Sequence, residues 1–474
     1  NIQSNSFRRL AFDEICANFI TLSKNRKRIK RKKIKKIFNE NISKSILQDL
    51  PFKLTNGQLQ ALEEINADLK SDEKMFRVLQ GDVGSGKTIV AMLSLANIIE
   101  SKYQCTLMSP TEILARQHYE LAKKIFKNKD INIDYLSGKT IPKEKKQILK
   151  KLEEGKIDFL IGTHALFQKK IIFKKLGYAV IDEQHKFGVK QRFDLALKGG
   201  TNCDVLLMSA TPIPRTMMMS LYGDMDISKI SEKPSYRQKI ITLSKPEKKI
   251  HELWNYLKKQ INNDNQIFWV CPLIDESKIL DYSSAKQKFD IINKKFPGKV
   301  GLIYGSIDKE KKESILKKFL DRKISILVST TVIEVGIDFP NANLIVIENA
   351  NKFGLSQLHQ LRGRVGRGNK QATCVLLFKD GLSKNAIKRI KTLKQSDDGF
   401  FIAEEDLKLR GFGDLTGYQQ SGFKSFRFAD PLAHKELFKL AEKHFLNFEN
   451  IDQNKYNFLL KLFDKAEIIN VKKI

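Results

Sequence analysis

At 474 residues the chain is too long for one ordinary core, and at roughly 100–200 residues per domain it reads as two large units with appendages. Hydrophobic residues at 41% and charged residues at 29% exclude wholesale disorder, and the apolar runs are strand-sized, far short of the ~18 residues a membrane span needs. Lys and Arg number 85 against 54 Asp and Glu, a formal charge of +31 that points to a polyanionic partner such as nucleic acid, although a chain rich in Lys, Ile and Asn also gathers charge by compositional drift. Cys16, Cys105, Cys203, Cys271 and Cys374 are scattered without paired spacing, which excludes a disulfide framework and fits a reducing, cytoplasmic setting.

In chain order, residues 7–40 read as one long helix. Leu10, Phe12, Ile15, Phe19 and Leu22 supply an apolar stripe ahead of "KNRKRIKRKKIKKIF", a basic half open to either phosphate binding or plain solvation. From 75 to about 228, the runs "FRVLQ", "CTLMSP", "INIDYLSG", "IDFLIGTH", "YAVIDEQH" and "DVLLMSATP" alternate with helix-like stretches and end in polar or small-residue turns. That alternation predicts βα units feeding a parallel sheet, whose ligands gather at the C-terminal ends of the strands. The polar segment "SKISEKPSYRQKIITL" breaks the pattern at Pro234 and reads as a linker. Alternation resumes in "NQIFWVCPLI", "KVGLIYGS", "ISILVSTTVIEVGID", "ANLIVIENA" and "TCVLLFKD", so the fold class is α/β with two parallel sheets in series. The tail after residue 431 is helical in pattern.

"GDVGSGKT" matches G-x-x-x-x-G-K-[ST] between a predicted strand and a predicted helix. Gly81, Gly84, Ser85 and Gly86 let backbone N–H groups approach phosphates, Lys87 reaches the β/γ-phosphates, and Thr88 is placed to ligate Mg²⁺. "YAVIDEQH" ends a second buried strand on two adjacent carboxylates. Asp182 is the candidate metal holder, and Glu183 the candidate for orienting or deprotonating the attacking water of an ATP hydrolase.

With these motifs, "MSPTEILARQH", "IGTHALF", "MSATPIPRT", "STTVIEVGID" and "QLHQLRGRVGRG" follow in the order of the DExH type of superfamily 2 helicases, which the chain resembles. "LQGDVGSGKTIVA", "DEQHKFGVKQR" and "DGFFIAEEDLKLRGFGDLTGYQQSG" are similar to the RecG family of branch-migrating DNA translocases, from about residue 7 to 430. The resemblance implies two tandem RecA-like P-loop domains with parallel sheets flanked by helices, an N-terminal linker helix and a helical C-terminal appendage. Its divisions are a basic linker helix over 1–50 following a wedge domain that is missing from this sequence, ATP-binding domain 1 over 51–232, domain 2 over 233–395, a translocation hairpin and loop over 396–430, and a helical tail over 431–474.

The resemblance also implies roles. Gln58 reads adenine, Gly336 and Asp338 approach the nucleotide, and Arg364 and Arg367 form an arginine finger on the γ-phosphate. His185 and Thr211 relay nucleotide state, while Thr111, Arg116, Thr163, His164, Ser329 and Thr330 hold DNA backbone without reading bases. Each of those hydroxyls has a simpler reading as a helix cap or turn. Arg410 and Gln420 are the working residues of the translocation segment, in which Phe412 stands where the family has proline, leaving φ unfixed.

The implied function is an ATP- and Mg²⁺-dependent motor on double-stranded and branched DNA, driving fork reversal and Holliday junction migration. No membrane is involved, a single-stranded DNA-binding protein is a candidate partner, and a monomer is the expected state. The alternatives are a transcription-repair coupling motor that displaces RNA polymerase, and a nucleotide-gated DNA clamp without productive hydrolysis.

Overall fold

The computed structural model describes residues 4–168, 170–183, 200–210, 225–234, 237–272, 278–330, 339–366, 368, 370–410, 426–430, 433–445 and 456–463. The chain divides into two compact units. The first holds Asn1–Gly81, Gly86–Ile230 and Leu407–Ile474, and the second holds Asp82–Ser85 and Ser231–Asp406. Among the described residues no helix is long and apolar enough to cross a membrane, and all five cysteines are buried and free.

The first unit opens with helices α1 (Asn5–Ile29), α2 (Asn41–Asp49) and α3 (Asn56–Lys70). It continues with β1 (Phe76–Gly81), α4 (Lys87–Glu100), β2 (Gln104–Met108), α5 (Glu112–Ile125), β3 (Ile133–Leu136), α6 (Pro142–Glu154), β4 (Phe159–Gly162), β5 (Leu176–Ile181), β6 (Asp204–Ser209) and β7 (Asp226–Ile230). The strands form one sheet in the order β3-β4-β2-β5-β6-β1-β7, with every pair parallel. The β1, β2, β4, β5 and β6 strands are buried at every position and mostly apolar, because both faces of a parallel sheet are covered. The two-residue period of a strand then sorts their side chains. Leu79, Leu107, Val180, Leu206 and Met208 join the core on one face, whereas Val78, Met108, Ile181, Val205 and Leu207 join the core on the other.

The second unit contains β8 (Ile241–Pro246), α7 (Ile250–Asn262), β9 (Gln266–Val270), α8 (Lys278–Lys295), β10 (Val300–Ile303), α9 (Lys309–Leu320), β11 (Ile326–Ser329), β12 (Ala342–Ile347), α10 (Leu355–Arg362), β13 (Thr373–Phe378) and α11 (Lys384–Gln395). Its sheet is also parallel, in the order β10-β11-β9-β12-β13-β8. Helix α12 (Gly399–Arg410) follows, and α13 (Lys435–Phe445) and α14 (Asn457–Leu462) belong to the first unit. This is the α/β architecture of two tandem RecA-like domains with a helical C-terminal region.

Two expectations are corrected. The segment read as a linker contributes strands at both ends, because β7 pairs with β1 and β8 pairs with β13. Their half-polar sequences fit sheet edges, where one flank is open and the apolar run need not be continuous.

The helix expected over 7–40 stops at Ile29. Beyond it the basic run is extended and bridges Lys32 to Glu73. Like charges stacked at i, i+4 weaken a helix, and a carboxylate draws the run elsewhere. Lys33 and Lys36 carry their ammonium groups, fully buried, onto Asp204. Met75 N–H also donates to Asp204, at 2.7 Å, and Lys33 Nζ donates to the Asp68 carbonyl at 2.9 Å. Burial pulls the Lys33 ammonium below its ordinary range, and the facing Asp204 charge offsets only part of that pull. Asp204 opens β6, at the sheet end opposite the ligand edge, so these two lysines fasten the chain across the domain rather than face a polyanion.

Candidate nucleotide and nucleic-acid site

In the first unit β1 delivers the chain to the phosphate loop. Gly84 (φ +76°) and Gly86 (φ +83°) lie in the left-handed region that favours glycine. Gly86 is the N-cap of α4, and a Cβ there would fall 2.1 Å from Gln58 Nε2. Lys87 is the first residue of α4, and its ammonium donates to the Gly81 carbonyl at 2.8 Å, folding back on its own loop. A bound phosphate would compete for that ammonium at a helix N-terminus that already favours anions.

Gln58 sits three residues into α3, 1% exposed. Thr55 N–H donates to its Oε1 at 2.9 Å, while Gln58 N–H donates back to Thr55 Oγ1 at 3.3 Å. This capping box fixes the side chain with its amide nitrogen beside Gly86. The residue expected to read adenine therefore packs against the last glycine of the loop.

Asp182 lies just past β5, separated from β1 by β6. Its Oδ1 accepts from Glu183 N–H at 2.9 Å, and its Oδ2 is 2.8 Å from His118 Nε2. Burial pushes the Asp182 carboxyl up, but the His118 hydrogen bond and charge, with the Lys87 charge, outweigh it and hold the group below the usual carboxylate range. Glu183 is buried with φ +50°, a strained conformation for a residue with a Cβ. An ionised carboxylate and the Thr88 hydroxyl, both oxygen donors, fit a hard divalent cation such as Mg²⁺.

His118 was not singled out in the sequence, although it ends "MSPTEILARQH". The signal was its place on α5, where Leu114, Ala115, His118 and Ala122 form the buried stripe, so a histidine occupies a core position. Replacing His118 with leucine is expected to remove a hydrogen bond to a charged group, about 1.5–3 kcal/mol of stability. Without His118, burial is opposed only by the Lys87 charge and the Glu183 N–H, so the Asp182 carboxyl rises and the acid limb of the ATPase pH profile moves to higher pH. Turnover measured across pH 4–8 checks this, and an unmoved limb separates His118 from Asp182 function.

The loops after β2 and β4 hold the expected backbone-contact residues. Thr111 is the N-cap of α5 and accepts from Leu114 N–H at 3.4 Å, so the simpler reading holds for its acceptor role while the hydroxyl proton stays available. Arg116 is exposed and lies over Tyr135 and Tyr119, 5.2 and 5.7 Å from the ring centroids. His164 is exposed and Thr163 is buried. Among the described residues the Ser109 and Thr163 hydroxyls find no hydrogen-bond partner, an arrangement that costs free energy unless a ligand completes it.

In the second unit, the Ser329 and Thr330 hydroxyls at the end of β11 are likewise buried without a hydrogen-bond partner among the described residues. A ring of charges surrounds Asp82. Its Oδ1 is 2.7 Å from His359 Nε2 and its Oδ2 is 3.0 Å from Lys233 Nζ. His359 Nδ1 faces Arg362 Nη2 at 2.8 Å. A guanidinium can only donate, so Nδ1 accepts and the ring proton sits on Nε2, pointed at Asp82. Arg362 continues to Asp397 Oδ1 at 3.0 Å, and Lys233 donates to the Asp397 carbonyl at 2.8 Å, closing the ring. Burial raises the Asp82 carboxyl, yet His359 and Lys233 together hold it well below the usual range.

Arg237, from the stretch read as a linker, donates to the Val83 carbonyl and, at 3.3 Å, to the Gly363 carbonyl. A Cβ on Gly363 would come 3.0 Å from Val83 Cβ. Arg364, one residue on, is buried at 2% exposure. Nothing in the sequence pointed to Asp82, Lys233 or Arg237, because each is defined by partners over 100 residues away, nor to Arg362, whose place is set by its position in the same ring. His185, Thr211, Gly336, Asp338, Arg367, Phe412 and Gln420 lie outside the described residues, and Arg410 closes α12.

Two parallel-sheet domains, the first carrying a glycine-rich loop and an acidic strand end, have the architecture of the superfamily 2 helicase class. Family models match in series: "DEAD/DEAH box helicase" over residues 55–220, "Helicase conserved C-terminal domain" over 248–369, and "ATP-dependent DNA helicase RecG, domain 3, C-terminal" over 396–455. The chain is 44% identical over 477 residues to the ATP-dependent DNA helicase RecG of Aquifex aeolicus, covering 97% of this chain and 60% of that protein. It is 44% identical over 438 residues to RecG of Thermotoga maritima, covering 92% and 56%. A structure of RecG bound to a three-way DNA junction superimposes with a TM-score of 0.78 at 40% identity, covering 92% of this chain and 57% of that one. The chain belongs to the RecG family, and it spans about 60% of the length of the curated relatives it matches.

Proposed function

We propose that this chain is the motor portion of an ATP-dependent DNA translocase that acts on double-stranded and branched DNA, driving fork reversal and Holliday junction migration. The observation that carries the reading is the coexistence of the phosphate loop and Asp182 with a RecG-specific match over residues 396–455. A three-way junction bound to the related RecG supports branched DNA as the substrate class. The nucleotide is ATP with Mg²⁺, as the names of the relatives indicate for the nucleotide and the oxygen donors of Thr88 and Asp182 for the metal.

In this mechanism Lys87 leaves the Gly81 carbonyl for the β/γ-phosphates, and the N-terminus of α4 faces the anion. Thr88 and Asp182 would hold Mg²⁺, which would supply positive charge beside the phosphates when bound. His118 keeps Asp182 ionised and oriented. Glu183 takes or directs the proton of the attacking water, and Arg364 with Arg367 stabilises the transferred phosphoryl group. Thr111, Arg116, Thr163, His164, Ser329 and Thr330 grip phosphates and sugars, with His185 and Thr211 relaying nucleotide state. A duplex held by its backbone is read without sequence preference. Residues 396–430, with Arg410 and Gln420, form the lever that converts hydrolysis into movement.

Steady-state ATPase activity with and without forked DNA tests the reading, on this chain and on a version extended upstream. Forked DNA is expected to raise turnover at least tenfold. Hydrolysis indifferent to DNA, or absent, overturns it.

A further inference from the structure

Helix α1 is packed at a core shared with residues 426–430, α13 and α14, in which Ala11, Ile15, Phe19, Phe438, Ala441 and Leu460 are buried. One carboxylate interrupts this apolar interface. Glu14 is 2% exposed, and among the described residues no cation pairs with it. Its charge is met by three consecutive backbone amides. Arg427 N–H donates to Oε1 at 2.7 Å, while Phe428 and Ala429 N–H donate to Oε2 at 2.8 and 2.9 Å. An unpaired carboxylate in an apolar core is costly, and successive amides converging on both oxygens are the arrangement that offsets that cost. The turn so held is braced on its far side. Asp430 N–H donates to His434 Nδ1 at 3.0 Å, and Phe7 packs edge-on against Phe428 with centroids 5.9 Å apart.

The held amides begin two residues after segment 411–425, which follows α12 in sequence. The upstream end of that segment is fixed as well, since Leu407 of α12 is 4% exposed within the core of the first unit. A lever transmits force only if both ends are anchored. A loop end without regular secondary structure depends on contacts such as these, and three hydrogen bonds to one carboxylate give its successive backbone amides their acceptors.

We propose that Glu14 is a positioning residue for translocation: its carboxylate clamps the Arg427–Ala429 amides and fixes the downstream end of the 411–425 segment, so that hydrolysis is converted into movement along DNA. This rests on the translocase reading above. Glutamine keeps the shape of the side chain but offers one acceptor oxygen and an NH₂ that opposes the amides; alanine offers nothing. Neither touches the phosphate loop or Asp182.

The test uses this 474-residue chain and three readouts: DNA-stimulated ATPase activity, displacement of a triplex-forming strand by movement along duplex, and amide hydrogen exchange at residues 427–429. Glu14→Ala is expected to leave ATP turnover within twofold while strand displaced per ATP falls at least tenfold. Glu14→Gln falls between, and its near-isosteric side chain guards against misfolding of the alanine variant. The three amides exchange slowly in the parent and quickly in both variants. Ile15→Val, one residue away in the same core, calibrates a purely structural loss and should leave the coupling ratio at the parent value.

Parent-like coupling in both Glu14 variants, amides equally exposed in parent and variants, or uncoupling by Ile15→Val at matched stability each overturn the proposal. A parent chain that hydrolyses ATP with DNA stimulation yet displaces no strand brings down the translocase reading, and the proposal with it. That outcome is told apart from failure of the clamp alone because it is read on the parent.

Discussion

Replacing Lys87 with alanine is expected to lower DNA-stimulated ATP turnover by roughly 10²–10³-fold, the loss that follows removal of one preorganised donor to developing charge in a phosphoryl or acyl transfer. The fold should survive. The Lys87 ammonium donates to the carbonyl of Gly81 in its own loop, and the left-handed glycines rather than the lysine shape the turn. Steady-state phosphate release with saturating forked DNA, alongside a denaturation curve, separates the two effects. Hydrolysis at the parent rate would mean that the phosphates are held elsewhere, and the assignment of residues 81–88 would fall.

Replacing Asp204 with asparagine carries the largest expected cost to stability, about 3–5 kcal/mol, because it strips the counter-charge from two fully buried ammonium groups at once. Lys33 already sits below its ordinary range through burial, so without Asp204 it must either shed its proton or draw water inward. The denaturant midpoint of Asp204→Asn reads this directly. The companion variant Lys33→Met/Lys36→Met/Asp204→Leu, which removes all three charges, is expected to recover most of the loss, since an apolar replacement of a whole buried cluster is often neutral or stabilising. A triple variant as unstable as the single one would show that the strap depends on something other than its charge pairing.

The fate of that basic run shows how far charge pattern can be read alone. Fifteen residues from Lys24 to Phe38 invite a phosphate-binding surface. In the folded chain Lys33 and Lys36 instead face a carboxylate more than 160 residues downstream. Net charge argues about partners only for residues that stay at the surface. Arg116, exposed on a tyrosine platform, is a cation of the kind that argument requires.

The sequence by itself determined the parallel sheets, because strands buried on both faces must be apolar at almost every position. It also determined the glycine-rich turn after β1, whose glycines at φ +76° and +83° are a backbone requirement written in residue type. Local signals suffice where the cause is local. Tertiary structure alone decided the partners: His118 against Asp182, the ring from Asp82 through His359 and Arg362 to Asp397, Asp204 under the basic strap, and Glu14 over three distant amides. The His118, Asp82–His359 and Glu14 contacts join residues separated by 64, 277 and more than 400 positions. A hydrogen bond depends on where two groups meet in space, and the spacing of residues along the chain carries no record of that.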